Sequence, residues 1–229
     1  MSSFAIRTCS KFQIDNTIEF NRGTTSTIKS GKIIPTKQSI KISNIDYKVF
    51  NCEQYKNKNN EILVDGSPHM AYQEVSKFKL YYSSISNLLI LNTAIGDADS
   101  FLKYLEKTNS ELVTFNKIPL DFIKITKQNG VYMDQIWFGT KDKHAKTKAF
   151  NGVDVNQNSE AKKAIKENKA TYIKVQIDIN SNGAYKKRII GFSKKSGIVI
   201  IKSNDSEINT DEKELQLLLD TFNTYKNFK

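Results

Sequence analysis

The stretch that decides the fold runs from residue 170 to residue 201 and reads ATYIKVQIDINSNGAYKKRIIGFSKKSGIVII. In its first half, the apolar residues Ile173, Val175, Ile177 and Ile179 are each separated by one polar residue. A period of two is typical of a β-strand that has one face in the core and the other toward solvent. The stretch therefore predicts an antiparallel sheet in this part of the chain.

A hairpin loop is expected directly after this strand. We predict a three-residue loop, Ser181–Gly183, because glycine readily adopts the left-handed conformation that such a loop requires. In the resulting register Asp178 faces Lys186 and Gln176 faces Arg188. The first of these pairs places opposite charges across the two strands, which stabilises a sheet.

The chain ends in a predicted helix. Residues 193–197 indicate a turn and residues 198–201 a third strand, after which Asn209 can cap a helix with Glu212 at its third position. The apolar residues of this helix share one face, at Leu215, Leu218, Leu219, Phe222 and Tyr225. We therefore predict a three-stranded antiparallel sheet packed with the terminal helix.

The N-terminal half is predicted to be β-rich. Alternating apolar residues at 40–49 and 78–82, with turn residues between them, indicate an antiparallel sheet. A helix of about two turns is expected after residues 96–100, with an Asp or Ser side chain as its cap. The predicted fold class is α+β, with a β-rich region at 1–115 and a basic α+β region at 116–229, as two regions or as one continuous domain.

The composition is that of a globular protein, and the hydrophobic runs exclude a membrane-spanning helix. The chain has 229 residues, of which 38% are hydrophobic and 26% charged, as in an ordinary globular protein. The longest aliphatic runs, of which Leu88–Leu91 is one, are far below the ~18 residues of a membrane helix, so we expect a cytoplasmic protein without membrane association. Cys9 and Cys52 form no CxxC pair; one disulfide is compatible with the sequence, but two reduced, inert thiols are favoured.

The positive charge is concentrated in one part of the chain. Residues 116–202 carry 18 basic and 7 acidic residues, and their net charge of +11 equals that of the whole protein. Lysines that neutralise phosphates release counterions, so a cluster of them binds a nucleic-acid backbone strongly. We expect a non-catalytic protein that binds nucleic acid or another polyanion, without sequence specificity, through a lysine-rich surface within residues 141–195. The predicted contact residues are Lys141, Lys143, Lys146, Lys148, Lys162, Lys166, Lys169, Lys186, Lys187, Arg188, Lys194 and Lys195.

Aromatic residues lie close to these lysines in the sequence. Such rings stack on the bases of a single strand, although alternation with polar residues is equally typical of core positions. The aromatic residues concerned are Trp137, Phe138, Phe150, Tyr172 and Tyr185.

Few catalytic motifs are available. The sequence contains no phosphate-binding loop and no GxGxxG or GxSxG motif, and its two histidines exclude a multi-histidine metal site. The remaining candidates are Asp65, Glu74 and Lys77, which suggest a metal-dependent nuclease of the restriction type with Mg²⁺ as cofactor. Two residues separate Glu74 from Lys77, which places them on opposite faces of a strand and fits that site poorly. Apart from this alternative, no metal or cofactor is expected.

A third interpretation is a protein-interaction module or inhibitor that recognises a protein partner. The size, the basic charge, the A/T-rich codon bias implied by 32 lysines against three arginines, and the lack of enzymatic motifs are typical of an accessory protein from a mobile element or defence locus.

Overall fold

The computed structural model describes residues 1–181, 183–201 and 210–228, which form a mixed α+β fold built on antiparallel sheets. The strands are β1 (Ser2–Phe12), β2 (Ile18–Asn21), β3 (Lys29–Ile42), β4 (Ile45–Lys58), β5 (Ile62–Val64), β6 (Ser67–His69), β7 (Tyr72–Ser83), β8 (Leu88–Asn92), β9 (Val113–Lys117), β10 (Tyr132–Gly139), β11 (Thr147–Asn151), β12 (Ala170–Ser181), β13 (Ala184–Ser193) and β14 (Gly197–Ile200). The helices are α1 (Ile95–Thr108), α2 (Phe122–Thr126), α3 (Ser159–Lys166) and α4 (Asp211–Lys226), with a 3-10 turn at Val155–Gln157. Within the described ranges, no helix combines the length and the apolar character needed to cross a membrane.

The chain is divided into two compact units. We call residues 7–116 the N-terminal unit, and residues 1–6 together with 117–229 the basic unit. Strand β1 contributes its first residues to the basic unit and its remaining residues to the N-terminal unit.

The N-terminal unit contains the predicted antiparallel sheet. Its strands follow the order β8, β7, β4, β3 and β2, with the later part of β1 in the same unit. Helix α1 packs on this sheet through Phe101, whose ring makes edge contacts with Phe20 at 4.9 Å and Phe78 at 5.0 Å. Gly31 allows this packing, because a Cβ atom there would lie 2.6 Å from the Phe20 ring.

Helix α1 differs from its prediction in length and capping. It has 14 residues rather than about two turns, and its N-cap is Ala94, which makes no side-chain capping bond. The two aspartates expected near the cap lie inside the helix and bind cations instead. Asp97 Oδ2 is 2.7 Å from Lys56 Nζ, and Asp99 Oδ1 is 2.5 Å from Arg7 Nη2. The expected cap is therefore wrong, because tertiary contacts with β1 and β4 supply stronger partners for both carboxylates.

The basic unit contains the predicted β-β-β-α arrangement, but its sheet has more than three strands. The order is β11, β10, β12, β13 and β14, and the first residues of β1 pair with β14 through Ser2–Ala5. The expected three-stranded sheet is thus too small. Strands β12 and β14 would otherwise be edges with unpaired backbone groups, and β10 and β1 satisfy those groups.

Helix α4 confirms the predicted apolar face but begins one residue later than expected. All five of its predicted core residues are buried. Asn209, the expected cap, lies outside the described residues. Thr210 is the N-cap, and its Oγ1 accepts a hydrogen bond from the backbone N–H of Lys213 at 3.3 Å. Lys213 rather than Glu212 therefore occupies the third helical position, and the predicted capping box is not formed.

The β12–β13 hairpin has a shorter loop than predicted. Ser181 pairs with Ala184, which leaves only residues 182 and 183 between the strands; residue 182 lies outside the described residues. Gly183 has φ +85°, as expected for a glycine in a tight hairpin loop. The predicted register is therefore wrong by one residue, and Asp178 faces Lys187 rather than Lys186. Two-residue loops are favoured because their twist matches that of the strands.

Both cysteines are free thiols in the core of the N-terminal unit. Burial raises the pKa of Cys9 to about 11 and the pKa of Cys52 well above its ordinary value. Since the thiolate is the reactive form, both side chains should be almost unreactive at pH 8.

We expect neither thiol of the native protein to react with Ellman's reagent at pH 8, whereas two thiols per chain react in guanidinium chloride. Rapid modification of the native protein by even one equivalent of reagent would contradict this packing of Cys9 and Cys52.

Candidate nucleic-acid interface

The sheet of the basic unit has one face covered by helices, and its opposite face is exposed over β10, β12 and the first half of β13. Along β12, Ile173, Val175, Ile177 and Ile179 are buried on the side of α4. The residues between them point to the opposite side and are partly or fully exposed. We call that side the outer face; on β12 it carries Tyr172, Lys174, Gln176 and Asp178.

Aromatic side chains from three strands lie on the outer face. In the sheet register Trp137 pairs with Tyr172, Tyr132 with Gln176, and Tyr185 with Asn180, and paired residues point to the same side. Trp137 is 45% exposed, Tyr132 46% and Tyr185 71%. The rings of Trp137 and Tyr172 are 5.5 Å apart with an angle of 52° between their planes. The outer face therefore presents aromatic surface to solvent.

The position of Tyr172 depends on a glycine in the neighbouring strand. A Cβ atom at Gly191 would lie 2.2 Å from the Tyr172 hydroxyl and 2.8 Å from its ring, so the ring lies directly over the β13 backbone. Burial in this position raises the pKa of Tyr172. Because the ring is held against the sheet, Tyr172 forms a fixed neighbour for the more exposed Trp137.

Lysines are concentrated at the end of the sheet where Trp137 lies. Strand β10 ends there, β12 begins there, and β13 ends there, because the three strands are antiparallel neighbours. Backbone hydrogen bonds join the loops at this end: Gly139 N–H donates to Lys169 O at 3.3 Å, and Lys194 N–H donates to Thr171 O at 3.0 Å. We call the lysines of these loops the basic rim; they are Lys141, Lys143, Lys146, Lys169, Lys194 and Lys195.

The first of these loops is tightly organised by two polar side chains. The Thr140 hydroxyl donates to Ala145 O at 2.5 Å and accepts from the backbone N–H of Asp142 at 2.9 Å. Asp142 Oδ1 in turn accepts from the backbone N–H groups of His144, at 2.7 Å, and Ala145, at 3.2 Å. With the backbone held by these bonds, the loop's lysines at positions 141, 143 and 146 are exposed to solvent.

The six lysines of the basic rim differ in whether their ammonium groups already contact other residues of the protein. Lys169 hydrogen-bonds to Glu167, which lowers the pKa of that carboxyl group. Lys194 Nζ donates to Asn168 O at 2.6 Å, and partial burial lowers the pKa of Lys194. The other four form no hydrogen bond or ion pair through their side chains with any residue that the structure describes; they are Lys141, Lys143, Lys146 and Lys195. These four ammonium groups are therefore available to a bound anion.

The other six predicted contact residues lie elsewhere. Lys187 is on the outer face, with its Nζ 5.3 Å from the centre of the Tyr132 ring. Lys186 and Arg188 are on the opposite face, where they line a cavity of about 490 Å³ beside α4. Lys148 Nζ is 2.8 Å from Oε1 of Glu160 in α3, and this hydrogen bond raises the pKa of Lys148. Lys162 and Lys166 lie on α3 itself. The twelve residues thus do not share one surface.

The family-model scan and the search of curated proteins both returned no match.

Two of the predicted aromatic residues are on the wrong face for stacking. Phe138 is buried beneath the sheet, and its ring is 5.6 Å from that of Phe150 on the same side. The outer face instead includes Tyr132 and Lys174, which sequence reasoning missed. The alternation along β12 is the signal that could have indicated Lys174, whereas Tyr132 required the pairing of β10 with β12.

The residues considered for a nuclease do not converge. Asp65 lies in the turn between β5 and β6, with φ +49°. Glu74 and Lys77 are on opposite faces of β7, and each is in an ion pair: Glu74 Oε2 is 3.1 Å from Lys58 Nζ, and Lys77 Nζ is 3.5 Å from Glu53 Oε1. An acid and a lysine on opposite faces of a strand cannot act on one metal ion. Within the described part of the chain, no three His, Cys, Asp or Glu side chains are grouped as metal ligands would be.

Proposed function

We propose that this protein binds single-stranded nucleic acid without catalysis, stacking bases on the outer face of the basic unit and contacting phosphates with the basic rim. The observation that carries the proposal is the position of the Trp137–Tyr172 pair, at the same end of the sheet as four exposed lysines whose side chains form no hydrogen bond or ion pair with any described residue. Aromatic stacking combined with a positively charged path for the backbone is the general mode of single-strand binding.

The aromatic rings favour a single strand over a duplex. Bases in a duplex are stacked on each other and present only their edges in the grooves, whereas unpaired bases expose a face that can stack on Trp137. Open sheets that bind RNA through surface aromatic residues stack two or three bases in this way. Trp137 and Tyr132, near opposite ends of β10, offer two positions for such contacts.

The charge distribution favours binding without sequence preference. Asp134 and Asp178 offset Lys174 and Lys187 on the outer face itself, so the phosphate contacts are assigned to the basic rim. Lysine is a point charge and lacks the bidentate geometry with which arginine reads guanine. Arg188, the arginine of this region, lies on the helix-covered side.

The first test uses the single tryptophan of the chain as its own probe. Stacking of a base on Trp137 should quench its fluorescence when a 12-nucleotide single strand is added. We expect Trp137→Ala to weaken binding by about tenfold, measured by fluorescence anisotropy of a labelled strand, since stacking contributes about 1–3 kcal/mol per base. Binding with no quenching and an unchanged affinity in Trp137→Ala would refute the proposal.

The second test addresses the basic rim. The variant Lys141→Gln/Lys143→Gln/Lys146→Gln should reduce the slope of log affinity against log salt by about two units, since each single-strand phosphate contact contributes about 0.7. The matched control, Lys37→Gln/Lys41→Gln/Lys103→Gln, removes the same charge from exposed positions in the N-terminal unit. If both variants change the slope equally, only net charge matters and the localised interface is wrong.

A further inference from the structure

A second basic site lies on the helix-covered side of the basic unit, away from the outer face. It is a cleft of about 570 Å³ between α2, the 3-10 turn at Val155–Gln157 and α3. Ile123 and Ile165 provide apolar walls, and Lys127, Lys162 and Lys166 line the same cleft. Its volume is within the range of pockets that hold small molecules.

No carboxylate of the described residues forms an ion pair with the lysines that line this cleft. Lys127 and Lys166 form no side-chain hydrogen bond or ion pair with any described residue, and Lys162 Nζ contacts only the neutral Gln157 Oε1, at 3.1 Å. Among the described residues that line the cleft, none is a carboxylate. Two lysines of α3 and the lysine that directly follows α2 place three like charges around one opening, where they repel each other, and a bound anion would relieve that repulsion.

One of the residues that line the cleft has a buried polar atom without a hydrogen-bond partner. Asn156 also lines the cleft, and its Oδ1 is buried without a hydrogen-bond partner. A buried acceptor in this state is unfavourable, and native proteins rarely leave one unpaired. Rotation of the Asn156 side chain toward the cleft would let this oxygen accept a hydrogen bond from a ligand that carries a donor.

We propose that this cleft binds a phosphate ester that also carries a hydroxyl or amino group, which is the chemistry of a nucleotide. The lysines hold the phosphate, Asn156 accepts from the hydroxyl or amino group, and the two isoleucines contact the base or sugar. The same chemistry is offered by a free mononucleotide and by a nucleotide within a bound strand. The proposal does not depend on the single-strand interface proposed for the outer face.

Calorimetric titration of the full chain with AMP at low salt tests the site. We expect Lys127→Gln/Lys166→Gln to weaken AMP binding at least tenfold. The control Lys103→Gln/Lys163→Gln, which removes the same charge from helical positions outside the cleft, should change the affinity less than twofold. Adenosine, which lacks the phosphate, should bind at least tenfold more weakly than AMP.

Two further measurements separate the contribution of Asn156 from that of the lysines, and binding in the cleft from binding on the outer face. Asn156→Leu should weaken AMP binding about fivefold and leave the binding of inorganic sulfate, which has no donor, unchanged. Trp137→Ala should leave AMP binding unchanged, because Trp137 does not line the cleft. Loss of AMP binding in Trp137→Ala but not in Lys127→Gln/Lys166→Gln would place the nucleotide on the outer face and overturn the proposed cleft site. Equal losses of affinity in the two double-lysine variants would also overturn it. So would the absence of AMP binding at millimolar concentration. Retention of AMP binding with no single-strand binding would refute the outer-face interface while leaving the cleft supported.

Discussion

Asp99→Ala is expected to destabilise the protein by about 3–5 kcal/mol, because it removes a carboxylate from a buried guanidinium group. Arg7 is only 2% exposed, and its Nη2 is 2.5 Å from Asp99 Oδ1. Burial lowers the pKa of Arg7, whereas the charge of Asp99 and its hydrogen bond act in the opposite direction. Without Asp99, the positive charge keeps its desolvation cost and loses this compensation.

Asp97→Ala is the matched control for that experiment. It removes the same side chain from the same helix, but the Asp97–Lys56 pair is partly exposed on both sides and should contribute about 0–1 kcal/mol. Urea unfolding followed by circular dichroism gives both values. The double variant Arg7→Met/Asp99→Leu should recover most of the lost stability, since no buried charge remains. Equal effects of the two single variants would show that the Arg7–Asp99 pair has no special role.

Leu218→Ala is expected to cost about 2–5 kcal/mol, the range found when a buried leucine is truncated and a cavity remains. Leu218 is fully buried in α4 between Leu215 and Phe222, on the side that faces the sheet of the basic unit. The matched control is Leu63→Ala, at a position that is 69% exposed, and it should change the free energy of unfolding by less than about 0.5 kcal/mol. If the midpoint of urea unfolding is the same in both variants, α4 does not pack on the sheet as the structure describes.

Local patterns predicted the elements that are buried on one face. The alternation in β12 and the helical spacing in α4 were readable because burial of one side imposes a period of two on a strand and about 3.6 on a helix. The residue at which a helix begins was harder to predict from the sequence. Asn209 and Thr210 are adjacent and both are good caps, so the sequence pattern alone could not choose between them.

The length of the loop between β12 and β13 determined which charged residues of β13 lie on the same face of the sheet. Ser181, Asn182 and Gly183 suit either a two-residue or a three-residue loop, and a shift of one residue moves every side chain of a strand to the other face. The observed register places Lys187 on the outer face and Lys186 and Arg188 beside α4. Backbone twist and the packing of the whole sheet settle this choice, and neither can be read from a few residues.

Composition located the excess charge in residues 116–202, because counting needs no structure. The tertiary structure decided which of those lysines lie close together. Lys141, Lys169 and Lys195 are far apart in the chain and lie at one end of the sheet, since antiparallel pairing brings together the end of β10, the start of β12 and the end of β13. The same pairing places Trp137 beside Tyr172 and puts Phe138 in the core. Periodicity assigns residues to faces within one strand, whereas a binding surface is assembled from neighbouring strands whose contacts are long-range.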